Sequence, residues 1–127
     1  MAKTWAEKFQ KPVKPEIKTL NINYAGHVPG DVMLISTPNE IDTEIRKLPR
    51  GTAEDVNWLR LRLAKKHGAD FTCPLTTGIF IRIAAEKALE EENNLPFWRV
   101  IDPKSPLAKK LSCGSKLIAQ KRLLEAK

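Results

Sequence analysis

The side chains that could do chemistry in this chain are few and scattered. Cys73 and Cys113 are its only thiols. Thr72-Cys73-Pro74 stands just before a helix start, where a thiolate gains some stabilisation, and His67 lies a short distance upstream. A Cys–His nucleophile is one reading of that pair; a small buried cysteine is the other. Glu90-Glu91-Glu92 reads as a solvated helix end rather than an acid/base pair. No phosphate loop, metal-ligand cluster or paired-carboxylate signature occurs, so no metal and no cofactor are expected. The remaining candidates are cationic and aromatic: Arg82, Arg99, Lys104, Lys109 and Lys110, with Phe97 and Trp98 side by side. Cations neutralise phosphates and aromatic rings stack on bases. Thr76, Thr77 and Gly78 read as a helix N-terminus, a natural phosphate contact.

Charge points the same way. The 127 residues carry a formal net charge of +7. In the C-terminal quarter Lys104, Lys109, Lys110, Lys116, Lys121, Arg122 and Lys127 stand against Glu125 alone. A basic segment of this kind suits a polyanion partner. The length fits one compact domain, and a 42% hydrophobic share is enough for one core. No run of ~18 apolar residues occurs and Met1 to Lys8 lacks an apolar signal region, so no membrane contact is expected. Two unclustered cysteines suit a reducing compartment, and the expectation is cytoplasmic.

The elements that must position these residues can be read in order. Residues 1–30 are basic and broken by Pro12, Pro15, Gly26, Pro29 and Gly30, which predicts an extended, irregular N-terminal arm. Trp5 and Phe9 stand at i, i+4 within it, so a short amphipathic turn could dock there. Residues 31–127 form the domain proper. Asp31 to Ser36 predicts a buried strand. Thr37-Pro38-Asn39-Glu40 is a capping box with proline at the first helical position, and Pro49-Arg50-Gly51 stops that helix. Thr52 to Asp55 opens a second helix, which His67-Gly68 closes. A third is predicted from Thr76-Thr77 to about Glu92, with Ile79, Phe80, Ile83, Ala84 and Ala88 on its apolar face. Asp102 to Pro106 reads as a wing or long loop. A closing helix follows, with Leu117, Ile118 and Leu124 available to the core. The class is mostly α, and three helices, a basic turn region and a final helix suit a winged helix-turn-helix.

Four landmarks then fall in one order: Leu48-Pro49-Arg50-Gly51, Arg82-Ile83-Ala84-Ala85, Pro96-Phe97-Trp98-Arg99-Val100-Ile101 and Gln120-Lys121-Arg122-Leu123-Leu124. Together they resemble the C-terminal, DNA-binding domain of the O6-alkylguanine-DNA alkyltransferases. That family shows Ile-Pro-x-Gly, an Arg-Ala-Val-Gly stretch in its recognition helix, a Pro-Cys-His-Arg-Val-Ile active-site motif, and a last helix with Lys and a Leu-Leu pair. The resemblance spans roughly residues 37–127. It implies a winged helix-turn-helix that binds the minor groove of double-stranded DNA and flips a base. Arg82 then matches the residue that fills the vacated stack, the other reading being a solvated helix arginine paired with Glu86; Phe97 and Trp98 line the base pocket, or Phe97 fills it as core; and Arg99 helps organise the site.

The departures fall on the chemistry. Methylated-DNA–protein cysteine methyltransferases need a thiolate, activated by a His and a Glu acting through water. The Cys position here is Phe97, the His position is Trp98, and the Glu position, counted from the Leu-Leu pair, is Lys127. The family's nucleotide-rotating Tyr has Asp55-Val56-Asn57-Trp58 in its region. Alkyltransferase-like proteins, which carry Trp in the Cys position, bind alkylated guanine without repairing it and hand the lesion to nucleotide excision repair. This chain resembles them in logic, so no alkyl transfer is expected. The expectation is a monomeric, non-catalytic binder of double-stranded DNA, alkylated or damaged duplexes included, with repair proteins as further partners. The alternative is a winged-helix scaffold repurposed for protein–protein interaction, with residues 1–30 as the docking element.

Overall fold

A computed structural model of the chain describes residues 4–11 and 13–126. The elements are α1 (Trp5–Gln10), β1 (Glu16–Thr19), β2 (Val32–Ile35), α2 (Pro38–Arg46), α3 (Val56–His67), β3 (Phe71–Thr72), α4 (Pro74–Glu91), a 3-10 turn (Phe97–Arg99), α5 (Pro106–Lys110) and α6 (Gly114–Glu125). The fold is mostly helical with one small sheet, in the order β1-β2-β3. β1 runs antiparallel to β2, with Glu16 opposite Ile35, and β3 runs parallel to it, with Met33 opposite Phe71.

Local chemistry sets the helix boundaries. The Thr37 hydroxyl accepts the Glu40 amide at 3.0 Å, and Pro38 lies within the first turn, where its missing N–H costs nothing. Asp55 caps α3 by accepting the Trp58 amide at 2.8 Å. Gly68 ends α3 in the left-handed region at φ +68°, which a residue with a Cβ adopts only at a cost. Around α4 the core closes: Leu34, Ile41, Ile45, Leu59, Leu63, Ile81, Ala84, Ile101 and Ile118 are fully buried in one cluster. Met33, Phe71 and Cys73 form a second, smaller cluster beneath the sheet.

Several expectations need correction. Residues 4–30 are not an extended arm throughout. α1 is a helix that packs on α4 and α2, and β1 is a strand of the sheet. Phe9 meets the main core, as the Trp5/Phe9 spacing suggested. Pro12 lies outside the described residues. α4 begins at Pro74, ahead of the Thr76-Thr77 start, because proline needs no N–H acceptor in a first turn. Its buried residues are Thr77, Ile81, Ile83, Ala84, Ala85, Glu86 and Ala88, so Ile83, Ala84 and Ala88 are buried as expected, while Ile79 is 49% exposed. Residues 79–83 are apolar nearly all round, so periodicity cannot choose the buried side. Where a wing or long loop was expected, Ser105 accepts the Ala108 amide and Pro106 leads α5. Leu124 is 56% exposed rather than in the core, and only Ile118 of α6 is fully buried.

Candidate nucleic-acid interface

Pro96 to Ile101 forms a tight turn at the bottom of the core. The Phe97 amide donates to the Leu95 carbonyl and the Val100 amide to the Phe97 carbonyl. This tightness sends successive side chains in different directions. Phe97 is 2% exposed and joins the main core, with Val100 and Ile101. Trp98 stays half-buried, edge-on to Phe97 with ring centres 5.5 Å apart. With Leu89, Leu95, Trp98, Leu117 and Lys121, Phe97 backs an open groove of about 260 Å³, which Glu92 and Asn94 rim. The Lys121 ammonium stands 5.3 Å from the centre of the Trp98 ring.

Arg99, expected to contact DNA, is committed to the interior. Its Nε and Nη2 donate to the Glu125 carboxylate at 2.7–3.2 Å, and Nη1 donates to the Leu48 carbonyl at 2.7 Å. Its side chain is 14% exposed, so the guanidinium has little left to offer a phosphate. Glu125 also accepts the Gly51 amide at 3.1 Å. The Arg99 guanidinium, helped by Gly51 and the nearby Trp98 indole against the opposing effect of burial, lowers the Glu125 carboxyl to about 2. Trp98 Nε1 is buried and makes no hydrogen bond of good geometry, although it faces this carboxylate. Arg122 adds a second brace: Nε donates to the Trp98 carbonyl at 2.7 Å and Nη2 to the Glu54 carbonyl. The motif is thereby tied to the loop between α2 and α3 and to α6. Lys127, counted as the Glu position, lies outside the described residues; the carboxylate that meets the motif is Glu125.

The threonines at the start of α4 do not face a phosphate. Thr77 is fully buried and its hydroxyl donates to the Cys73 carbonyl at 2.6 Å. The Thr76 hydroxyl is buried, turned toward the Cys73 sulfur, and makes no conventional hydrogen bond. These contacts correct their assignment as DNA ligands; Gly78 remains partly exposed. Burial acts to raise the Cys73 thiol. The Thr76 hydroxyl and amide, the Tyr24 hydroxyl at 3.5 Å and the Leu75 amide outweigh it, and the thiol is lowered. Cys73 is nevertheless 4% exposed, and His67 does not reach it: its Nε2 lies 2.6 Å from Glu40. No Cys–His pair forms.

Of the cationic candidates, Arg82 and Lys110 meet beside α4. Leu75, Ile79, Arg82, Glu86 and Leu89 recur at helical spacing on one side. Leu75 is 65% exposed, and with Gly78, Ile79, Arg82, Leu107 and Lys110 it lines a groove of about 240 Å³. Glu86 is buried and accepts from the Ser112 amide and hydroxyl, which pins the segment after α5 against α4. Beyond it the stripe reaches Leu89 and the Trp98 groove. Arg82 and Leu89, two helical turns and about 10 Å apart along α4, each line one of the two grooves. Lys109 and Lys110 are exposed on α5, and Lys104 is exposed in the turn before it. The structure thus brings together Gly78, Arg82 and Lys110, with Phe97 and Trp98 further along. It sets Thr76, Thr77 and Arg99 apart.

Glu125, Arg122, Lys121 and Trp5 were missed from the sequence. Trp5 lies with its ring centre 5.3 Å from the Arg82 guanidinium carbon. For Glu125 the signal was present, since it is the sole acidic residue after Asp102. Among the described residues no helix is long and apolar enough to cross a membrane, and no group of three or more His, Cys, Asp or Glu side chains is placed to hold a metal ion. No family model matches the chain, and no curated protein or solved structure matches it.

Proposed function

We propose that this protein binds double-stranded DNA without chemistry, in the manner of the alkyltransferase-like proteins, and holds a displaced base in the groove beside Trp98. The observation that carries the reading is that α4 contributes to two grooves, Arg82 to one and Leu89 to the one beside Trp98. Base flipping needs a filler for the stack, a pocket for the base and cations for the backbone. Arg82 supplies the first, Trp98 with Lys121 the second, and Lys104, Lys109 and Lys110 the third. Stacking of a base on an aromatic ring is worth roughly 1–3 kcal/mol. α3, its connection and α4 act as the helix-turn-helix, with α5 in the wing's place. Arg99 acts by bracing the motif rather than by touching DNA.

Alkyl transfer has no acceptor in this reading. Phe97 occupies the thiol's place and is buried. Cys73 lies in the separate cluster beneath the sheet, and Cys113 has a thiol raised by burial and by Glu86. A fluorescent duplex, with and without O6-methylguanine, titrated at several salt concentrations tests the proposal. Submicromolar binding that weakens by about 0.9 in log–log slope per phosphate contacted supports it. Equal, salt-insensitive, millimolar binding to both duplexes rejects it.

The protein-scaffold reading has one observation in its favour: Ile17, Ile22 and Val28 are each more than half exposed in the N-terminal segment. Chemical-shift mapping with a candidate protein partner separates the two. Perturbations confined to residues 4–30 favour the scaffold, and perturbations at Arg82 and Trp98 on adding duplex favour DNA binding.

A further inference from the structure

α1 is weakly held. None of its residues is buried, and Gln10, Lys11 and residues 13–19, which lead away from it, are all exposed. Two cationic side chains of α4 also lie on its rings: the Arg82 guanidinium carbon is 5.3 Å from the Trp5 ring centre, and the Lys87 ammonium 4.5 Å from that of Phe9. Arg82 is therefore engaged from two directions, by the Trp5 ring and by the Glu86 carboxylate at 3.9 Å. Its Nε is buried and makes no hydrogen bond among the described residues. An arginine that enters a base stack must leave both partners.

We propose that α1 is a latch over Arg82: Trp5 holds the guanidinium against α4, and the duplex must displace it before Arg82 can extend. The proposal rests on the reading of Arg82 as the stack filler. The phosphate backbone competes for Arg82 and Lys87, the α4 cations that meet the two rings of α1. A closed latch lowers the apparent affinity by the fraction of molecules in which it is open. A cation–π contact at a half-exposed site corresponds to roughly 2- to 5-fold in that equilibrium.

The test uses the full chain as wild type, Trp5→Ala, Trp5→Leu, Arg82→Ala and the Trp5→Leu/Arg82→Ala double variant. Each is titrated with the fluorescent O6-methylguanine duplex, and the Arg82 Nε–Hε NMR signal is followed in the free proteins that retain Arg82. Trp5→Leu keeps apolar docking while removing the ring face, so it decides the matter if Trp5→Ala does not fold. The expected result is 2- to 5-fold tighter binding on loss of the ring, a shifted Arg82 signal in the free variant, and no tightening in the Arg82→Ala background. Unchanged or weaker binding by a folded Trp5 variant overturns the latch and leaves DNA binding standing. So does tightening that persists without Arg82. Absence of binding by wild type and Trp5 variants alike overturns the DNA reading and the latch with it.

Discussion

Glu125→Gln isolates the brace that holds the Pro96–Ile101 turn. The Glu125 carboxylate receives three contacts from Arg99 and one from the Gly51 amide, and its side chain is 5% exposed. Its pKa falls from 4.5 to about 2, which at 1.36 kcal/mol per unit sets an upper bound of about 3.4 kcal/mol. The brace lies near the end of α6, where solvent screens it, so about 2 kcal/mol is the working figure. Because the folded-state pKa is depressed, this stability is fully present above the unfolded pKa and is lost as pH falls through about 2. By the same linkage about 60% of it has gone at pH 3. Urea denaturation of wild type and Glu125→Gln at pH 7 and pH 3 is the assay. The variant should be less stable by about 2 kcal/mol at pH 7, with the gap more than halved at pH 3. A gap below about 0.5 kcal/mol at pH 7, or one that does not narrow on acidification, refutes the brace. An unchanged denaturant slope is required for the comparison to hold.

Three further outcomes follow from the same geometry. Phe97→Cys places a thiol in the turn but opens a cavity in the core; it should cost about 2–4 kcal/mol in denaturant unfolding and still remove no methyl group from an O6-methylguanine duplex. Methyl transfer by that variant would show that Trp98 and Glu125 can activate a thiolate after all. Thr37→Ala removes the cap of α2 and should cost about 1 kcal/mol in the same unfolding assay, with no change in duplex affinity. A thiol reagent at pH 9 should modify Cys113 before Cys73 in the folded protein, because Cys73 is buried; mass spectrometry of the labelled peptides reads the order, and faster labelling of Cys73 would mean that its cover opens.

Helix starts and stops were legible because their signals are local. The Thr37 cap, the Asp55 turn and Gly68 each act within four residues, and short-range hydrogen bonding dictates where those helices begin and end. The buried strand at 32–35 was legible for a similar reason, as an apolar run between breakers. The N-terminal segment was not. β1 exposes all four of its residues and owes its strand form to pairing with β2, which lies a dozen residues further on. Part of the inner face of α4 was hidden because Ile79, Ile81 and Ile83 are equally apolar, and only packing against α1, α2 and α3 buries Ile81 and Ile83 and leaves Ile79 exposed. Among candidate site residues, Lys104, Lys109 and Lys110 were legible as surface cations since nothing nearby buries them.

From the sequence alone came the mostly helical class, the basic surplus and the absence of a thiol from the Pro96–Ile101 motif. These depend on residue type and short spacing, and folding does not alter them. Tertiary structure decided the rest. It turned Arg99 inward onto Glu125 and Leu48, because the closing helix returns a carboxylate to that turn. It also buried Phe97 while leaving a groove beside Trp98, because the 3-10 turn sends the two rings in different directions. Arg82 and Leu89, which lines that groove, share one side of α4 for the simplest reason: two helical turns bring a residue back to the face it left.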